Sequence, residues 1–169
     1  MRVPILVLIF VAFLGLNSQA HVRSKTAGNL IPRSSSDSLK TAPCGGVARG
    51  LSAATYAPGE TITVSWEETI NHPGRFEISF SPAGDTGWQL LKTVNDTTNN
   101  TNDLPHQYST TVTLPTTPCT ACTIQLIQVM TENPSAPSYY YSCSDIKIQS
   151  TTAPEPTLPQ PTPISNPCE

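Results

Sequence analysis

Charge is scarce in this sequence: 12% of its 169 residues are Asp, Glu, Lys or Arg, and the formal net charge is −3. Nine Lys and Arg against twelve Asp and Glu leave no electrostatic footprint for nucleic acid or an acidic lipid surface. Aromatic residues are also few, at 7%. No amphipathic helical period of useful length runs through the chain, which argues against an α or α/β fold. The one long apolar run, Val3 to Leu16, falls short of the ~20 residues that span a bilayer. No apolar tail closes the sequence, so neither a membrane anchor nor a lipid-anchor signal is expected. No internal repeat is visible.

Thr, Ser and Pro are plentiful instead, as in secreted all-β proteins. Residues 1–20 begin with Arg2, continue through the apolar run and end in Asn17-Ser18-Gln19-Ala20. Ser18 and Ala20 occupy the minus-three and minus-one positions of a signal-peptidase site. Cleavage after Ala20 makes His21 the first residue of a secreted chain. It also removes one positive charge, Arg2, so the formal charge goes from −3 to −4. About 130 residues, 21–150, then suit one domain with a single core.

Two alternating segments frame the centre of that domain. Ile62, Val64 and Trp66 share one face of the first, and Phe76, Ile78 and Phe80 share one face of the second. Period-two alternation reads as half-buried strands. Between them Asn71-His72-Pro73-Gly74 is turn chemistry, so the pair is expected to form a hairpin with His72 at its turn. Residues 21–41 lack a clear period and read as an arm laid on the body. Leu51 to Pro58 holds a short strand, Tyr108 to Leu114 another, and Thr123 to Met130, apolar on both faces, a central one. Tyr139 to Ile148 forms the last strand. Residues 81–103 read as loop-rich, with Trp88, Leu90 and Leu91 as core candidates and with N-glycosylation acceptors at Asn95 and Asn99. His106 reads as a solvent-facing residue of a polar loop. Several short strands separated by turns predict a β-sandwich. Residues 151–169 carry six prolines and read as an extended Pro/Thr-rich tail or linker.

Of five cysteines, Cys44, Cys119, Cys122 and Cys143 lie in the domain and Cys168 in the tail. In a secreted chain the four are expected as two disulfides. Three pairings exist; Cys44–Cys143 with Cys119–Cys122 is favoured, because the first ties the arm to the last strand. A Cys₄ zinc site is the rival that the CxxC spacing raises.

The chemistry centres on His21. An amino-terminal histidine offers one metal both its α-amine and its ring Nδ1, and the amine, with a pKa of about 7.7–8.0, gives up its proton readily. His72 on a rigid turn adds a third nitrogen. Three neutral nitrogens in a planar T suit Cu(II), which also heads the divalent affinity order. A tyrosine near the axis would limit access to that metal, and Tyr139, Tyr140 or Tyr141 would supply it.

His21 behind the signal, KTAPCGG at 40–46, HPGRF at 72–76, CTACTIQL at 119–126 and YYYSCSDI at 139–146 carry a resemblance. The sequence resembles the lytic polysaccharide monooxygenases, in particular a small group with KTAPCG and HPG motifs. The resemblance implies an immunoglobulin-like β-sandwich, a copper brace on His21 and His72, and Tyr140 as the axial residue. It also implies oxidation of a glycosidic C–H bond in chitin, cellulose or a related β-glycan, using O₂ or H₂O₂ and an electron donor, by a secreted monomer. Ser138 stands where cellulose-active fungal members carry Gln, and the arm lacks the aromatics that flatten a polysaccharide-binding face. Two other classes accompany this reading: a secreted copper carrier of related fold, and a metal-free sugar-binding or adhesive module.

Overall fold

The computed structural model describes residues 21–98 and 100–150. The expected signal segment 1–20, the tail 151–169 with Cys168, and Asn99 lie outside the described residues. Within them the chain forms two packed β-sheets. β1 (Val22–Lys25), β3 (Thr61–Glu68) and β6 (His106–Thr113) make a three-stranded sheet in the order β1-β3-β6. β2 (Ala54–Tyr56), β4 (Gly74–Ser81), β5 (Gln89–Asn95), β7 (Cys119–Met130) and β8 (Ser138–Ile148) make a five-stranded sheet in the order β2-β8-β7-β4-β5. This is the expected β-sandwich. No helix of the described residues is long and apolar enough to cross a membrane.

The alternating residues face one another across the sandwich. Trp66 is fully buried and packs on Phe76 and Tyr108 at ring-centroid distances of 5.2 and 5.5 Å. Ile62, Val64, Ile78, Phe80, Val112 and Leu114 extend the same core. β7 lies between β4 and β8. Its inner side chains Ile124, Leu126 and Met130 join the core, and the 26–53 segment covers part of its outer face, where the Cys44 N–H donates to Gln125 Oε1 at 3.0 Å.

Three expectations change. β3 and β4 do not pair: β3 bonds to β1 and β6, and β4 to β5 and β7. Residues 69–73 therefore carry the chain from one sheet to the other, and His72 lies on a corner at the end of the sandwich rather than on a hairpin tip. The arm is not all loop, because β1 pairs antiparallel with β3, Val22 opposite Glu68. Residues 81–103 contain β5, where a bulge opposite Ile78/Ser79 sets Leu90 against Ser79. Leu90 is thereby turned outward, 60% exposed, while Leu91 packs on the core. Trp88 is half-buried and Asn95 is exposed at the strand end.

Residues 26–53 cross from β1 to β2 and cover the part of the β8 edge that β2 leaves unpaired. The backbone N–H of Arg33 donates to Cys143 O at 2.8 Å and that of Tyr141 to Leu39 O at 2.9 Å. The Cys44–Cys143 disulfide, with Cα atoms 5.1 Å apart, fastens the same stretch. The second disulfide, Cys119–Cys122, lies within β7. Both CxxC sulfurs are thus bonded to each other, and no thiolate remains there for zinc. Covering an edge in this way keeps it from pairing with another chain.

The guanidinium of Arg33 ties these parts together. It donates to Asp85 Oδ1 and Oδ2 at 2.7 and 2.8 Å, to Asp145 Oδ1 at 2.7 Å, to Thr123 Oγ1 and to Val47 O. Arg49 adds a second cation 3.1 Å from Asp145. Arg33 answers the buried acids at once from a single planar fork.

Candidate metal centre

The corner that carries His72 is built from three elements. Glu68 ends β3 and its Oε1 accepts from the His72 backbone N–H at 3.2 Å. Thr131, just past β7, donates from both its backbone N–H and its hydroxyl to Pro73 O, at 2.8 and 3.0 Å. Gly74 opens β4 so close to the strand opposite that a Cβ there would collide with the carbonyl of Val129. Glycine follows the His-Pro pair because nothing larger fits.

β1 brings His21 to the same end. With Val22 opposite Glu68, His21 lies beside the start of the corner, where Thr69 N–H donates to His21 O at 2.9 Å. The His21 backbone nitrogen donates to Asp37 O, also at 2.9 Å. In a chain still joined to Ala20 that nitrogen is a peptide N–H; in one that begins at His21 it is an amine.

Tyr140 comes from β8, in register with Gln128 of β7 and, one strand further, Phe76 of β4. All three point into the sandwich and are buried. The His21 ring stacks on the Tyr140 ring at 3.7 Å between centroids and 13° between planes. It also lies parallel to the His72 ring, at 4.7 Å and 8°. Lys40, from the KTAPCGG stretch, holds its ammonium 4.8 Å from the centre of the Tyr140 ring. The structure thus groups His21, His72 and Tyr140, while Tyr139 and Tyr141 alternate to the other face of β8. Ser138 is exposed at the strand start.

The His72 ring presents different surroundings at its two nitrogens. Nδ1 is hydrogen-bonded to Glu132 Oε1. Nε2 is buried and has no hydrogen-bond partner among the described residues. The Tyr140 hydroxyl is likewise buried without a partner. A buried imidazole lone pair beside a second imidazole fits a borderline metal ion better than it fits an empty core. Among the described residues no three His, Cys, Asp or Glu side chains gather into a metal cage, so this donor set is two imidazoles.

Sequence reasoning missed what supports them. Glu68 is wholly buried, and its carboxylate accepts from Gln128 Nε2 at 2.8 Å as well as from the His72 N–H. His106, expected in solvent, is 6% exposed and bonds Glu68 Oε2 through Nδ1 at 3.0 Å. The two are direct cross-strand partners in the β3–β6 ladder. A readable signal existed: stepping the alternation of 62, 64 and 66 once more reaches Glu68, and stepping 112, 110 and 108 back reaches His106.

Burial pushes the Glu68 carboxyl up to about 7, with Asp96 adding to the rise while His106 and the His72 N–H oppose it. A folded-state pKa above the ordinary 4.5 means the folded chain holds a proton that the unfolded chain has released. This group's contribution to stability is therefore full below about pH 4.5, falls as pH rises toward 7, and is flat above. Urea midpoints of the metal-free protein should drop between about pH 5 and about pH 7.5, and Glu68→Gln should flatten that part of the slope. An identical slope in both proteins would remove Glu68 from the account.

The family model for lytic polysaccharide mono-oxygenase, cellulose-degrading, matches residues 18–146, most of the chain and every element of the sandwich up to β8. A search of curated proteins gives no match. Among solved structures, an AA15 lytic polysaccharide monooxygenase from Thermobia domestica in the Cu(I) state is similar at 20% identity and a TM-score of 0.44. The match covers 56% of this chain and 62% of that one. A cellulose-active polysaccharide monooxygenase from M. thermophila is 18% identical over 76% of this chain and 66% of that one, with a TM-score of 0.48. A chitin binding domain from Burkholderia pseudomallei is 12% identical over 58% and 57%, with a TM-score of 0.45. The matched region spans less than two thirds of each of these structures. With the match running from the residues before His21 to β8, this chain belongs to the lytic polysaccharide mono-oxygenase family.

Proposed function

We propose that the chain is a secreted copper protein that oxidises a β-glycan, with the metal held by the amine and Nδ1 of His21 and by Nε2 of His72. The observation that carries this reading is the buried, unpartnered Nε2 of His72 on a ring stacked 4.7 Å from that of His21. Family membership supports the substrate class. Removal of residues 1–20 is part of the proposal, since it frees the amine that completes the three-nitrogen set.

Copper held there would supply one-electron chemistry able to turn O₂ or H₂O₂, with an electron donor, into an oxidant for a glycosidic C–H bond. The chain's own residues shape the place where that happens. Tyr140 closes one side of the His21 ring, and its hydroxyl is buried. Glu68, braced by Gln128 and His106, holds the His72 backbone from below. On the outer face of β8, Tyr139 is 41% exposed and lies beside Tyr141, with centroids 6.5 Å apart. Such aromatic faces are the surface on which a sugar ring packs.

The test is product formation. Copper-loaded protein beginning at His21, given ascorbate and peroxide, should release oxidised oligosaccharides from chitin, cellulose or a related β-glycan, seen by mass spectrometry. Tyr140→Phe keeps the stacked ring and removes only the hydroxyl, so it should alter the rate far more than the copper affinity. Intact copper binding with no oxidised sugar from a broad panel of glycans would replace this reading with that of a copper carrier.

A further inference from the structure

We propose that Glu132 is the positioning residue of the metal centre: it holds the proton of His72 on Nδ1 and so makes Nε2 the nitrogen that binds metal. This rests on the brace reading above and deepens it. A neutral imidazole has one N–H and one lone pair, and which nitrogen carries which follows from the partner. Glu132 Oε1 lies against Nδ1. An ionised carboxylate only accepts, so Nδ1 is the nitrogen that donates. The lone pair is left on Nε2, the buried nitrogen with no hydrogen-bond partner.

The placement of Glu132 is built into the fold. It follows Thr131, whose backbone N–H and hydroxyl both donate to Pro73 O, the carbonyl next to His72. Glu132 and the imidazole are therefore carried on two segments bolted together one residue from each. The other side of His72 is fixed independently, by the Glu68 bond to its backbone N–H. A half-turn of the ring about Cβ–Cγ would put Cδ2 where Nδ1 stands and break the Glu132 bond; the carboxylate thus sets both tautomer and orientation. Carboxylates that accept from a ligand imidazole do this in metal sites generally, and removing one costs about 10–100-fold in metal affinity.

Two readouts test this on protein that begins at His21. The first needs no metal: ¹⁵N-detected NMR of the imidazole nitrogens reports the tautomer of His72 directly. Wild type should show the Nδ1–H form, and Glu132→Ala should lose it in favour of a mixture or the Nε2–H form. Glu132→Gln, whose amide oxygen also accepts, should keep it. The second is Cu(II) affinity by competition titration: Glu132→Ala should weaken binding about 10–100-fold, with Glu132→Gln within a few-fold of wild type. Glu132 has an exposed side chain, 43% accessible, so the melting temperature of the metal-free variants should stay near that of wild type. An Nε2–H tautomer in wild type, or a Glu132→Ala protein with unchanged tautomer and affinity, would overturn the proposal. Wild type that fails to bind copper at all would overturn the brace and this role with it. That outcome is recognisable because it is independent of position 132.

Discussion

Copper(II) should raise the melting temperature of the mature chain sharply, and His72→Ala should abolish the rise. A ligand that binds only the folded state stabilises it by RT ln(1 + [L]/Kd), which is about 4 kcal/mol at a thousandfold excess over Kd. For a domain of this size that corresponds to a shift on the order of 10 °C. The dependence on His72 is large because the site has few donors. In the proposed site His21 would contribute from a strand end and His72 from the corner, and among the described residues no three His, Cys, Asp or Glu side chains gather to hold a metal. Loss of either imidazole leaves no substitute. Metal-free His72→Ala should melt near the metal-free wild type, since the ring lies at the end of the sandwich and outside the hydrophobic core. A copper shift that survives His72→Ala would place the metal elsewhere on the chain.

Replacing Arg33 should strongly destabilise the fold away from that site. Its side chain is 3% exposed and stands between Asp145, 2% exposed, and Asp85, 16% exposed. It holds both carboxylates, Thr123 of β7 and the carbonyl of Val47. Removing one partner of a buried ion pair costs about 3–5 kcal/mol, because the remaining charge is left unanswered in a place water does not reach. Arg33→Met keeps most of the volume and removes the charge, so its cost reads the electrostatic part. Arg49, partly buried and lying 3.1 Å from Asp145 and 3.8 Å from Asp85, keeps a cation beside both acids, which keeps the loss within that range. Chemical denaturation of metal-free protein measures it. Asp145 lies five residues along β8 from Tyr140, about 17 Å at strand rise, so copper affinity of folded Arg33→Met should stay near wild type. A destabilisation below about 1 kcal/mol would show that the cluster only decorates the arm.

What could be read ahead of the structure divides along physical lines. Alternation of Ile62, Val64 and Trp66, or of Phe76, Ile78 and Phe80, reports which face a strand buries, and those faces meet across the sandwich. Alternation is silent about which strand pairs with which. The turn at Asn71–Gly74 suits a hairpin as well as a crossing between sheets, and only packing of both apolar faces against each other selects the crossing. β1 was hidden for a related reason. Its inward residues are Val22 and Ser24, and one buried serine is enough to blur a four-residue pattern. Leu90 was misplaced by one residue of bulge, which local sequence does not announce. At the candidate metal centre, His21 stood out because it follows an expected cleavage site, His72 gained weight from it, and Tyr140 was singled out among three neighbouring tyrosines by the family resemblance. Their supports did not, since Glu68, His106 and Gln128 are ordinary polar residues until β3, β6 and β7 bring them together. Glu132 is the extreme case: sixty residues from His72 in sequence, it meets the ring only because β4 and β7 are neighbours.

The terminal amine of His21 is expected to be a copper ligand. This is tested most directly by comparing two forms of the protein, one beginning at His21 and one carrying a single glycine ahead of it. Each is titrated with Cu(II) and its electron paramagnetic resonance spectrum recorded. The account predicts one tightly held equivalent in the first form, with hyperfine structure from three nitrogens, and its loss in the second, where that nitrogen is again a peptide N–H. Equal affinity and an unchanged spectrum in the extended form would contradict it.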